Sequence, residues 1–257
     1  MRKHSPKILV APNGARKKKE EMPYLPIAPF ELAEEAEACF KEGASLFHIH
    51  VRDDQQAHSL DSKKYKETLE AIKKKAPQLT LQISTETCGI YTPEDQIFLV
   101  KSVFPEAFSI NLSELIPNHS FKILAKHFFS WVYEAKISVQ YICYTPEDVS
   151  YLEDCIKEGI LPQQKVYSVL FVLGNRNIDG SPKDLDGFLE VKKKLEFQLE
   201  WTACAFGRNE LCCLITAANL GGNIRIGFEN NHYLNNGNMA SSNVELIRQF
   251  KLALQKI

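Results

Sequence analysis

Phe47-His48-Ile49-His50-Val51-Arg52-Asp53 closes a run of β-branched and aromatic residues, and two imidazoles alternate there with apolar side chains. In an extended strand alternate residues share a face, so His48 and His50 point the same way, roughly 6–7 Å apart at the backbone. That spacing lets both rings meet one divalent metal. The plain alternative is a pair of satisfied histidines at a strand end, because each buried ring nitrogen needs a partner. A polar ending on an apolar strand also suits a parallel barrel, whose chemistry sits at the C-terminal ends of its strands.

Working outward, the same alternation of short apolar runs and amphipathic ones fills the chain. Strands are expected at Lys7–Pro12, Ser45–Val51, Leu79–Ser84, Ala107–Leu112, Ile137–Tyr144, Val166–Leu173, Leu199–Phe206 and Asn223–Glu229. Helical patterns follow at Pro29–Lys41, Ser62–Lys75, Pro93–Val103, Ser120–Tyr133, Pro146–Glu158, Leu185–Lys194, Asn209–Asn219 and Ser241–Lys256. Thr92-Pro93-Glu94-Asp95 and Thr145-Pro146-Glu147-Asp148 each set a cap, a first-turn proline and acidic residues in order. Gly43 and Gly159 close two helices. Strict strand–helix alternation with near-continuous apolar strands indicates a parallel sheet covered by helices. The expectation is an α/β protein, a (β/α)8 TIM barrel forming one domain over residues 1–257, with a doubly wound open sheet as the alternative.

Polar residues gather at the expected strand ends. Asn13-Gly14-Ala15-Arg16 follows the first strand, Ser84-Thr85-Glu86 ends the third, and Ser109 and Asn111 lie on the fourth. Arg225-Ile226-Gly227-Phe228-Glu229-Asn230-Asn231 ends the eighth. Glu229 thus offers a carboxylate to complete a two-histidine metal set with an open position, as in catalytic zinc sites and some iron sites. The other reading of Glu229 is a salt bridge to Arg225. Gly221-Gly222-Asn223 precedes its strand and reads as a helix cap and tight turn, not a phosphate cradle. Lys17, Lys18 and Lys19 read as solvated surface, although a basic loop at a barrel mouth also attracts the phosphates of coenzyme A.

Composition narrows the function. The 257 residues carry 31 basic and 32 acidic side chains, a formal net charge of −1, which gives no sign of a nucleic-acid or membrane-surface protein. No apolar run spans a bilayer, and Met1-Arg2-Lys3-His4 leads into a short strand without a signal peptide, so a cytoplasmic protein is expected. The seven cysteines are odd in number and scattered, which suits reduced thiols. Cys212 and Cys213 are adjacent in a helical pattern and should point apart. Neither a G-x-S-x-G elbow nor a P-loop is present.

These residues together resemble the β-keto acid cleavage enzymes, the family typified by 3-keto-5-aminohexanoate cleavage enzyme. The resemblance runs through Ala11-Pro12-Asn13-Gly14-Ala15, Leu25-Pro26, Gly43-Ala44, His48-x-His50-x-Arg52-Asp53 and Gln82-Ile83-Ser84-Thr85. It continues in Phe171-Val172-Leu173-Gly174 and the stretch from Gly221 to Asn230. It implies a (β/α)8 barrel, a homotetramer, and Zn2+ held by His48, His50 and Glu229. It also implies condensation of a β-keto acid with acetyl-CoA as co-substrate, releasing acetoacetate and a new acyl-CoA. Ser84, Ser109 and Asn111 match positions lining the substrate pocket, and Arg225 matches an arginine that assists deprotonation with an adjoining aspartate.

Three departures stand out. The aspartate is Asn230 here, which cannot accept a proton. Gln140 and Ile142 replace an acidic pattern on the fifth strand, and Arg16 replaces a glutamate of the amino-substrate enzyme. With Cys204-Ala205-Phe206-Gly207 on the seventh strand, this combination points to a distinct branch. The chain also ends soon after the eighth helix, short of the tail that packs subunits together in many members. Glu86 becomes the candidate base, with pairing to Arg52 or Arg16 as its alternative role. Arg16 points to an anionic or neutral polar substrate tail, since a cationic tail would meet like charge.

Overall fold

Helix initiation follows the caps that the sequence carries. In the computed structural model, which describes residues 5–256, Thr92 Oγ1 accepts the Asp95 N–H at 3.2 Å while Asp95 accepts the Thr92 N–H at 2.8 Å. Asp61 accepts the backbone N–H groups of Lys63 and Lys64 at 2.7 and 3.1 Å. Such caps contribute about 1 kcal/mol each. The leading segment, residues 1–4, and residue 257 lie outside the described residues.

The elements in chain order are β1 (Ile8–Val10), α1 (Pro29–Lys41), β2 (Ala44–Ile49), β3 (Val51–Arg52), β4 (His58–Ser59), α2 (Ser62–Lys75), β5 (Thr80–Ser84) and α3 (Pro93–Val103). Then come β6 (Ala107–Ile110), α4 (Leu112–Leu115), α5 (Lys122–Glu134), β7 (Ser138–Cys143), α6 (Pro146–Lys157), β8 (Val166–Leu173) and α7 (Asp184–Lys192). The chain finishes with β9 (Gln198–Ala205), α8 (Glu210–Asn219), β10 (Asn223–Ile226) and α9 (Asn243–Gln255). Eight parallel strands close in the order β1-β2-β5-β6-β7-β8-β9-β10, with β10 returning to β1 through Ile8↔Ile224, Leu9↔Arg225 and Val10↔Ile226. The fold is a (β/α)8 TIM barrel.

Alternation along the strands decides what enters the barrel. Phe47 and Ile49 join Leu81, Ile83, Phe108 and Tyr141 in the large apolar layer between strands and helices. His48, between two of them, therefore faces the interior. A separate small apolar cluster of Leu170, Val172 and Cys204 fills part of the interior.

Four expectations shift. The second strand stops at Ile49, and Val51–Arg52 instead pairs antiparallel with His58–Ser59, so His50 lies just beyond the barrel strand. The eighth stops at Ile226 because Gly227 turns the chain at φ 143°, where a Cβ would lie 2.3 Å from the Ala11 carbonyl oxygen. The fourth strand ends at Ile110, and Asn111 caps a one-turn helix, α4, through the Glu114 N–H at 3.1 Å. The helix expected from Ser120 opens with a 3₁₀ turn, His119–Phe121, before α5. Cys212 is exposed and Cys213 buried, on opposite sides of α8. Among the described residues, no helix is long and apolar enough to cross a membrane.

Candidate active site

A cavity of about 690 Å³ opens at the C-terminal ends of the strands. Its floor holds His48 from β2, His50 from just beyond it, and Glu229 from the turn after β10. His48 Nε2 and His50 Nε2 lie 3.0 Å apart, and Glu229 Oε2 stands 3.6 and 3.4 Å from them. Donors held about 2.0–2.1 Å from a tetrahedral zinc are separated by about 3.3 Å, so this triangle has the dimensions of a three-ligand metal site.

A chain of amides orients the first imidazole. Gln140 donates to Ser168 Oγ at 3.5 Å and Thr202 Oγ1 at 3.4 Å, and Gln82 Nε2 donates to Gln140 Oε1 at 3.4 Å. The Gln82 oxygen thus faces His48 Nδ1 at 2.8 Å and accepts its proton, leaving a lone pair on Nε2. Burial pushes His48 down to about 3, with Glu229 opposing and His50 and Arg225 adding to the shift, so the ring is neutral. Burial alone would raise the Glu229 carboxyl, but Arg225 and the two imidazoles hold it well below the usual carboxylate range. Among the described residues Glu229 Oε2 is buried without a hydrogen-bond partner, on a side chain 15% exposed overall. Two imidazole nitrogens and a carboxylate oxygen facing one point are the donor set of a divalent metal. The residues fit the group.

Arg225 Nη2 donates to Glu229 Oε1 at 2.9 Å and to Asn230 Oδ1 at 3.2 Å, and contacts Cys204 Sγ at 3.4 Å. Asn230 therefore turns its oxygen toward the guanidinium, and among the described residues its buried Nδ2 has no acceptor. Ser84 lines the cavity and its hydroxyl accepts the Glu86 N–H at 3.1 Å. Asn111 also lines it, but both ends of its amide are engaged, the oxygen as the α4 cap and the nitrogen on the Ile142 carbonyl at 3.0 Å. Ser109 is fully buried, its hydroxyl has no partner among the described residues, and it is absent from the lining.

At the mouth, Glu86 Oε1 meets Arg16 at 3.4 Å and Arg176 at 4.0 Å. Arg52 does not reach Glu86; its guanidinium donates to the Gly14 carbonyl at 2.9 Å and the Gln56 carbonyl at 2.7 Å, tying the first two βα loops together. Lys17 is not solvated surface. Its ammonium donates to the carbonyls of Phe228 and Glu229 at 2.5 and 3.5 Å, and burial lowers its pKa against the pull of Glu210 and Glu229. Lys19 likewise pairs with Glu31.

The sequence profile of the β-keto acid cleavage enzymes matches residues 7–257. The chain belongs to the β-keto acid cleavage enzyme family. Among characterised relatives, a 3-keto-5-aminohexanoate cleavage enzyme from Fusobacterium nucleatum is 28% identical over 249 residues, covering 94% of this chain and 88% of that protein. A 3-oxoadipate:acetyl-CoA acetyltransferase from Cupriavidus necator is also 28% identical, over 259 residues, with 94% and 86% covered. Among solved structures, ObcA in ternary complex with a C4-CoA adduct and oxalate superposes with a TM-score of 0.72 at 17% identity. That match covers 91% of this chain, which spans 64% of the ObcA chain, and it shows a shared fold.

Several cavity residues of this family member escaped sequence reasoning. Arg176 and Arg208 come from loops after β8 and β9, and Arg208 stacks on Tyr233 at 4.8 Å. Neither stands at a spacing that sets it apart from ordinary surface arginines. Asp179 has a faint signal in Gly207, where a Cβ would collide with the Asp179 carboxylate.

Proposed function

We propose that this chain is a zinc-dependent acyltransferase that condenses a β-keto acid with acetyl-CoA and releases acetoacetate and a new acyl-CoA. The observation that carries the reading is the His48–His50–Glu229 triangle, with its unpartnered carboxylate oxygen, at the floor of a large cavity in a member of this family. The names of its relatives supply the co-substrate. In the balanced reaction, C2 of the keto acid loses a proton and bonds to the acetyl carbonyl carbon as that carbon's bond to the CoA sulfur breaks. The C2–C3 bond then breaks as the sulfur bonds to C3, and C2 regains the proton.

Zinc bound by His48, His50 and Glu229 would supply Lewis-acid polarisation of the keto acid's oxygens. Arg225 adds a permanent positive charge beside that position, where negative charge develops. Glu86 is the candidate acceptor of the C2 proton. It lines the cavity, and among the described residues its Oε1 is held by Arg16 and Cys88 while its Oε2 makes no hydrogen bond. Asn230 holds Arg225 through its oxygen and takes no proton. Ser84 fixes the Glu86 backbone, and Asn111 shapes the wall as the cap of α4. Arg16 and Arg176 share the single carboxylate of Glu86 and keep most of their N–H donors free, which supports a substrate with an anionic tail.

The test supplies metal-loaded protein with acetyl-CoA labelled in the acetyl group and a panel of β-keto acids. Label in acetoacetate and none in the new acyl-CoA is the expected outcome. Cleavage at the same rate without acetyl-CoA would replace this reading with hydrolysis, and tight ligand binding without turnover would defeat it.

A further inference from the structure

Glu210 is the most deeply buried carboxylate that the proposed chemistry does not use. It is the first residue of α8, 2% exposed, and stands outside the cavity lining. A carboxylate sealed from water is costly unless hydrogen bonds compensate it. Its two oxygens reach one target. Oε1 accepts the Gly227 N–H at 3.4 Å, and Oε2 accepts Asn231 Nδ2 at 3.1 Å. Those residues lie two positions before and two after Glu229, so Glu210 grips the turn on both sides of the metal-binding carboxylate.

Other contacts complete the grip from different directions. Asn243, at the start of α9, accepts the Phe228 N–H at 2.8 Å and is itself held by Glu35 of α1 at 2.9 Å. Lys17 binds the Phe228 and Glu229 carbonyls from the loop after β1, and the Glu229 N–H reaches the Ala11 carbonyl at 3.1 Å. The turn contributes no strand pairing of its own beyond Ile226. Its remaining order comes from Asn230 and Asn231 bonding to the Gly227 carbonyl, the Gly207 N–H on the Asn230 carbonyl at 3.3 Å, and the Arg225 guanidinium on Glu229 and Asn230.

We infer that Glu210 is a positioning residue for the metal site, setting the place of Glu229 through Gly227 and Asn231. This inference rests on the metal reading above. Partners one step behind a ligand change metal affinity by about 10–100-fold when removed, because the ligand must then be ordered by the metal itself. Glu210 differs from a residue that merely stabilises the barrel, because both its contacts fall on the one turn.

The test is competitive zinc titration of metal-free wild type, Glu210→Gln, Asn231→Ala and the double variant, with the visible spectrum of each cobalt-loaded protein. Glutamine keeps the size of the side chain but presents an amide to one of the two donors. We expect zinc affinity to fall by about 10–100-fold in Glu210→Gln, with an altered cobalt spectrum. Asn231→Ala should weaken zinc in the same direction, and the double variant by less than the two single losses combined, since they share the Glu210–Asn231 contact. Affinities within twofold of wild type and an unchanged spectrum, whatever the melting temperatures, would overturn the inference. Wild type that takes up no zinc would overturn the metal reading itself, and this inference with it.

Discussion

Arg225 and Glu229 meet at 2.9 Å with side chains only 4% and 15% exposed, whereas Arg16 and Glu86 meet at 3.4 Å with side chains 46% and 22% exposed. Both are arginine–glutamate pairs lining one cavity. The first belongs to a network with no slack, braced by Asn230, Lys17, Asn243 and Glu210. The second joins two loops in water and shares its carboxylate with Arg176. A buried pair is a fixed part of the electrostatics, since losing one partner strands the other, while an exposed pair contributes about 0–1 kcal/mol and exchanges readily. On the proposed reading the floor would hold one metal in one geometry, and the mouth would trade one anion for another.

Variants on the two sides of this divide should differ in kind. The largest effect is expected from His50→Ala, which should lose most bound metal and all measurable turnover while the barrel stays folded. Full zinc occupancy by elemental analysis of that variant would remove His50 from the site. Arg225→Met leaves Glu229 buried without its cation, and the metal-free protein should lose about 3–5 kcal/mol in denaturant unfolding. Zinc should restore part of this by supplying the missing positive charge. A loss under about 1 kcal/mol, as for a surface pair, would erase the distinction.

At the mouth, Glu86→Gln should lower kcat by roughly 10²-fold if Glu86 takes the proton. An unchanged pH–rate profile would leave Glu86 as a partner of Arg16 and Arg176 only. Arg16→Glu should lower kcat/KM for a dicarboxylic β-keto acid by about tenfold, the worth of one charge-assisted hydrogen bond, with little change in the KM of acetyl-CoA. The reverse pattern would assign Arg16 to coenzyme A phosphates.

The smallest effect is in the pH dependence of stability. Burial pushes His58 down to about 3, with His50 adding to it, so between about 6.5 and 3 the unfolded chain binds the extra proton and stability falls as pH drops. Burial raises Glu210 to about 8 despite its bonds to Asn231 and Gly227. Between about 4.5 and 8 the folded state therefore holds the extra proton, and stability falls as pH rises. In melting curves of metal-free protein, Glu210→Gln should flatten the alkaline limb and leave the acid limb in place. An alkaline limb of wild-type slope in that variant would contradict the assignment.

The barrel was legible because each strand and helix is written locally, in apolar runs, caps such as Thr92 and Thr145, and first-turn prolines. His48 and His50 were legible as a pair because they are two residues apart. Their meeting with Glu229 was not, since the 178 residues between His50 and Glu229 must close a barrel first. Even the element carrying Glu229 was misread, because Gly227 ends the strand for a reason visible only in three dimensions, the carbonyl of Ala11 beside it. Lys17 read as solvent-facing because it begins a lysine run, and only the turn above it supplies the carbonyls that bind it. Glu210 carried no signal at all, standing as one more acidic residue at a helix start.

The metal site is the claim on which the floor, the mouth and the chemistry all depend. The measurement that tests it most directly is the anomalous difference map of zinc-loaded crystals at the zinc absorption edge. A single peak about 2.0–2.1 Å from His48 Nε2, His50 Nε2 and a Glu229 oxygen is the predicted result. Zinc located elsewhere, with these three side chains unliganded, would contradict it.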